Sequence, residues 1–143
     1  MRRMRIFHFA AMLLLAASGC ATGIFSGANA PVLPPLDPGQ GRVLIYRSST
    51  MGSPYVPDVL LNGARVGRLD QPGVILRDVP PGSYAVTSAN ISRVVNFSVA
   101  AGERKYVRFA SGYFEQYMHP EVVEAARGES EAAGLRIVLQ GQK

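Results

Sequence analysis

The 143 residues contain one cysteine, two histidines and no tryptophan, and no apolar run approaches the roughly 20 residues that a helical membrane span requires. A single cysteine leaves no intrachain disulfide, so the fold must rest on its core alone. His8 and His119 are too few for the His-rich ligand sets of most metalloenzymes. Asp37, Asp58, Asp70 and Asp78 each lie beside turn residues; they are too scattered for a calcium loop and read as turn formers or caps. A Gly-rich phosphate loop, a dinucleotide fingerprint and a Gly-x-Ser-x-Gly nucleophile elbow are all missing. These absences remove the common enzyme classes and imply no cofactor and no metal.

What the chain does have begins at its start. Arg2, Arg3 and Arg5 precede a short apolar run from Phe7 to Ala17, the pattern of a secretory signal. Ala17, Ser18 and Gly19 stand directly before Cys20, and this arrangement resembles the lipobox of bacterial lipoproteins. That resemblance implies cleavage after residue 19, a diacylglycerol on the Cys20 sulfur and usually a third acyl chain on its amine. Two or three acyl chains give a firm anchor, because each buried methylene contributes about 0.8 kcal/mol and one chain alone holds only marginally. The other readings are a cut after Ala28-Asn29-Ala30, which is also small-x-small, and an uncleaved signal anchor. Ala21 after the cysteine resembles the enterobacterial signal for export to the outer membrane. The expected address is therefore the cell envelope, lipid-anchored at the periplasmic face of the outer membrane.

Cleavage would also change the charge. The full chain carries +5, and loss of the three signal arginines leaves +2, which removes most of the compositional case for nucleic-acid binding. Nine basic residues still fall between Arg42 and Arg108, against four acids. They read either as solvated arginines alternating outward on strands or as a basic face toward anionic lipid.

Residues 20–41 form the lipidated cysteine and a tether dense in Pro and Gly, which can build neither helix nor ladder. As a coil it spans roughly 25 Å, stiffened by its prolines. Residues 42–143 suffice for one domain with one core. Short apolar bursts between turn signals predict an all-β fold, a small antiparallel β-sandwich of about 7 to 9 strands with a short C-terminal helix. Arg42 to Arg47 is apolar on both faces, as an inner strand should be. Asn62-Gly63 between two apolar runs predicts a type I′ hairpin. Pro80-Pro81-Gly82 reads as a type II turn. The run Val94 to Val99 alternates with Val95, Phe97 and Val99 inward. In Lys105 to Phe109, Val107 and Phe109 face in, while Lys105 and Arg108 reach out.

These motifs, Tyr46-Arg47, Asn62-Gly63, Val66-Gly67, Pro81-Gly82-Ser83-Tyr84, Ala101-Gly102-Glu103 and Tyr106-Val107, resemble the bacterial lipoprotein family called domain of unknown function 2846. The PEGA and carboxypeptidase-regulatory-like sandwiches are similar in style. The resemblance covers roughly residues 42–110 and implies a sandwich fold and an envelope address, with no chemistry attached.

The tail mixes signals. Tyr113 to Met118 favours strand, whereas Glu121 to Ala133 is rich in Ala and Glu and favours helix, interrupted by Val122-Val123 and Gly128. The compromise is extended structure to about Val123, a helix near Ser130 to Leu135, and a last apolar run, Leu135 to Leu139, that either pairs at a sheet edge or continues the helix. Tyr113, Phe114, Tyr117 and His119 form the candidate binding surface, since aromatics with polar handles favour interfaces. Against this stands the reading of Phe114 and Met118 as core with the tyrosines at its rim. The loop from Ser49 to Pro57 is a second candidate surface. Three functions follow: a non-enzymatic envelope module binding a protein or glycan partner, an assembly factor acting through edge-strand pairing, or a small hydrolase built on His119 and a serine.

Overall fold

A computed structural model describes residues 33–49, 54–70, 72–89, 91–111 and 117–138. Cys20, the signal and most of the tether lie outside the described residues, as do Tyr113 and Phe114. Eight strands form two sheets, followed by one helix: β1 (Gly41–Arg47), β2 (Asp58–Leu61), β3 (Ala64–Arg68), β4 (Gly73–Val79), β5 (Gly82–Ser88), β6 (Val95–Val99), β7 (Arg104–Ala110), β8 (His119–Val123) and α1 (Ala125–Ala132). One sheet has the order β4-β1-β7-β8 and the other β3-β2-β5-β6. All pairings are antiparallel except that of β1 with β7. The fold is a small β-sandwich with a short C-terminal helix.

The chain changes sheet at the β1–β2, β3–β4, β4–β5 and β6–β7 connections. β1 is buried along all seven residues because β4 and β7 flank it and both its faces are covered. Its odd positions, Val43 and Ile45, enter the inter-sheet core with Val59, Ile75, Val86, Val107 and Phe109. Its even positions, Leu44 and Tyr46, pack under α1 with Val74 and Tyr106. β2 and β3 close through Asn62 and Gly63 at φ 48° and 79°, the pair of positive angles that a type I′ turn demands. The Asn62 Oδ1 atom also accepts the Ala85 N–H at 2.7 Å, tying the turn to β5.

Several expectations are corrected. Pro80-Pro81-Gly82 makes no type II turn: Gly82 opens β5 without the positive φ such a turn needs, because β4 and β5 belong to different sheets and the two prolines carry the chain between layers. Lys105 has the parity of Val107 and Phe109, yet at the start of the strand its ammonium reaches Glu103 at 2.7 Å. The arginines are not uniformly solvated. Arg42 and Arg47 are each only 2% exposed, and Arg77 turns inward to donate to the Val66 carbonyl. Asp78 lies within β4, not at a turn, and receives Arg42 in a two-pronged ion pair at 2.5 and 2.7 Å.

α1 begins five residues earlier than the composition suggests and ends by Ala132. Gly128, which weakens the helix by propensity, is what seats it. A Cβ there would fall 2.3 Å from Tyr106 Cγ, so only glycine lets the helix lie against that ring. The run after the helix turns back to a sheet edge: Val74 donates to the Arg136 carbonyl and Val138 to the Val74 carbonyl, at 2.9 and 2.8 Å.

The register gives the sandwich two distinct ends. Gly41, Val79, Gly82, Val99, Arg104 and Val123 gather at one; Arg47, Asp58, Arg68, Gly73, Ser88, Ala110 and His119 gather at the other. The chain enters at the first end, where the Arg42 guanidinium donates to the Pro34 and Pro35 carbonyls at 2.8 and 3.4 Å. The last part of the Pro-rich segment is thus fastened to the domain.

Candidate functional site

At the end opposite chain entry, the β7 and β8 pairing sets Arg108 across from Glu121 and Ala110 across from His119. Period-2 alternation places these four on one face with Tyr106. Beside them is a cavity of about 260 Å³, lined by Arg108, Ala110, Ser111, His119, Pro120, Glu121 and, from the β5 to β6 connection, Arg93. His119 therefore opens β8 on the wall of this cavity.

The cavity floor is electrostatically braced. Arg108 Nε donates to Glu121 at 2.6 Å, and its Nη1 donates to both Glu131 carboxylate oxygens at 2.8 and 3.0 Å. Glu131 also accepts Arg127 Nε at 2.7 Å and the Tyr46 hydroxyl at 2.7 Å. Burial pushes the Glu131 carboxyl up, but the hydrogen bond from Tyr46 and the two arginines outweigh this and hold it below the ordinary carboxylate range. Burial, reinforced by Glu131, raises the Tyr46 phenol, and burial pushes Tyr106 up to about 12. This network clamps α1 to the sheet and fixes Arg108 from behind.

Near it at the same end, Tyr117 stands edge-on to Tyr55, with ring centroids 5.2 Å apart at 76°. Tyr117 remains 43% exposed, whereas its neighbour Met118 is in the core, so a tyrosine sits at the rim and a methionine inside. The Tyr55 hydroxyl donates to the Ala89 carbonyl at 2.9 Å and lies 2.8 Å from Ser88 Oγ. Arg47 anchors the strand leading to that loop: it donates to the carbonyls of Ser49, Leu69 and Tyr55 at 2.8, 3.0 and 3.3 Å, and burial lowers its pKa.

No protein-family model, curated protein or solved structure matches the chain. Its site must be read from its own residues.

The two candidate surfaces of the sequence therefore meet through Tyr55 and Tyr117. His119 joins them on the cavity side, while Tyr113 and Phe114 lie outside the described residues, as does Cys20. Sequence reasoning missed Arg93, Ser111 and Glu121. Arg93 and Ser111 are in connections with no periodicity, and Glu121 belongs to the site only once its pairing with Arg108 is known. Among the described residues, no cluster of three or more potential metal ligands occurs, and no helix is long and apolar enough to cross a membrane.

Proposed function

We propose that this chain is a lipid-anchored envelope lipoprotein whose sandwich is a non-enzymatic binding or accessory module, similar to the domain of unknown function 2846. The observation that carries the reading is the Cys20 motif after a short cationic and apolar leader. The Arg42 clamp on Pro34 and Pro35 gives it a direction. A chain tethered at Cys20 meets the domain at the Gly41 end, so the Tyr55, Tyr117 and His119 end faces away from the lipid. β1, with seven residues at about 3.3 Å each, sets these ends about 20 Å apart.

Partners on this reading are the membrane, through the lipid, and an envelope protein or glycan at the far end. Nucleic acid is not among them. The hydrolase reading draws little support, since Glu121, the acid on the His119 wall, is engaged by Arg108. Assembly by edge-strand pairing draws some support from β6, an edge strand of its sheet. It draws less from β3, which carries a register shift and Arg65 and Arg68, and from β8, whose Pro120 lacks an N–H.

The test is expression of the full chain and of Cys20→Ser in a bacterial host, followed by membrane fractionation and mass spectrometry of the N-terminus. The wild type should fractionate with membranes and carry acyl mass on a terminal Cys20, and the variant should not. An unmodified thiol, or an N-terminus beyond residue 20, would overturn the anchor.

A further inference from the structure

The cavity beside His119 has a charge balance that selects among ligands. Arg108 lines it, but its guanidinium is already shared between Glu121 and Glu131. Arg93 is exposed and forms no ion pair among the described residues. A guanidinium fork offers two parallel donors to a planar carboxylate, and Ser111 and His119 line the same cavity. Glu121 adds a negative charge to that lining. With Arg93 and Arg108 the lining carries a net charge of +1, which a carboxylate at −1 balances and a phosphate at about −1.5 to −2 near neutral pH exceeds. At about 260 Å³, the cavity is smaller than the roughly 300–1,000 Å³ that encloses a whole ligand. It suits an end group presented by a larger molecule.

We propose that this cavity is a carboxylate subsite, in which Arg93 takes the free carboxylate of an envelope peptide or acidic glycan and Ser111 supplies a further donor. The proposal deepens the binding-module reading and rests on it for the identity of the far end as the binding end. Tyr117, exposed at the same end and backed by the half-buried Tyr55, would then carry the rest of the ligand, since an exposed ring supplies contact area at low entropic cost.

The test is an NMR titration of the full mature chain in detergent with N-acetyl-alanyl-alanine, the same dipeptide amidated at its C-terminus, sodium glucuronate and inorganic phosphate. The free acid should shift the Ser111 and His119 amides saturably, and the amide and the Arg93→Gln variant should each bind about tenfold more weakly or worse, as loss of a charge-assisted hydrogen bond implies. Tighter binding of the dipeptide than of glucuronate names a peptide end as the source, and the reverse order names an acidic sugar; either supports the subsite. Equal binding of acid and amide, an unchanged affinity in Arg93→Gln, tighter binding of phosphate, or no shift with any probe would overturn it. Because the titration does not depend on acylation, a failed anchor and a failed subsite give separate results.

Discussion

The two sheets are made of the same number of strands and differ in what covers them. In the β4-β1-β7-β8 sheet, β1 and β7 are packed on both faces, by the opposite sheet and by α1. The β3-β2-β5-β6 sheet packs on one face, and outward positions such as Asn96 and Ser98 are exposed. The difference shows in the sequence as an uninterrupted apolar β1 against an alternating β6, the expected signatures of double and single coverage. It also shows that the second cover differs from the first. Between the sheets the contacts are aliphatic and aromatic, whereas under α1 the aliphatic residues Leu44 and Val74 are joined by two buried tyrosines and a carboxylate shared by two arginines.

The largest effect should come from breaking the inter-sheet layer. Phe109→Ala, at a residue 1% exposed, should cost about 3–5 kcal/mol, read as a drop in the urea midpoint. The half-buried Phe97, stacked on Tyr84 in the singly covered sheet, should cost less than half as much. Equal losses would mean that the two sheets share the core evenly.

Next is the seat of the helix. Gly128→Val forces a side chain into Tyr106 and should cost about 1–3 kcal/mol, as overpacking does, with altered near-ultraviolet circular dichroism from the buried tyrosines. Tyr106→Ala in the same chain should relieve part of the clash. If Gly128→Val is neutral, the helix does not lie flush on the sheet.

The smallest effect sharpens the contrast between covers. Glu131→Gln should cost about 1–2 kcal/mol at neutral pH, as loss of charged hydrogen bonds does, and should flatten the acid limb of stability. Because folding holds the Glu131 carboxyl below its unfolded pKa, its contribution is complete above the ordinary carboxylate range and is lost as pH falls through the lower folded value. At the alkaline side the sign reverses. Tyr46 and Tyr106 are held protonated, so their contribution is complete below about pH 10 and declines as pH rises toward 12. Thermal unfolding across pH, with and without the substitution, checks both limbs.

Local chemistry in the sequence was readable where local geometry decides it. Asn62-Gly63 demanded its turn, and the alternation at Val95, Phe97 and Val99 gave β6 its inner face. What the sequence hid depended on distant partners. Pro80-Pro81-Gly82 has turn chemistry, but its role follows from which sheet each neighbouring strand joins. Gly128 looks like a helix defect until Tyr106 is known to lie under it. Arg42 looks like a solvated strand end until Asp78 and the two proline carbonyls are in place. The far end was half legible: His119 on the cavity and Tyr117 beside it stood out by type, while Arg93 and Ser111 carry no pattern and are assembled only by the fold.

The parallel contact of β1 with β7 has a consequence for how the domain comes into being. Arg42 meets Arg104 across it, so the first strand to leave the ribosome waits for a partner some sixty positions behind. Pairings of such separation are slow to form, since a long loop must close before any contact rewards it. The central ladder is therefore incomplete until β7, which ends at Ala110, has been made, while the pairings among the first six strands can close before it.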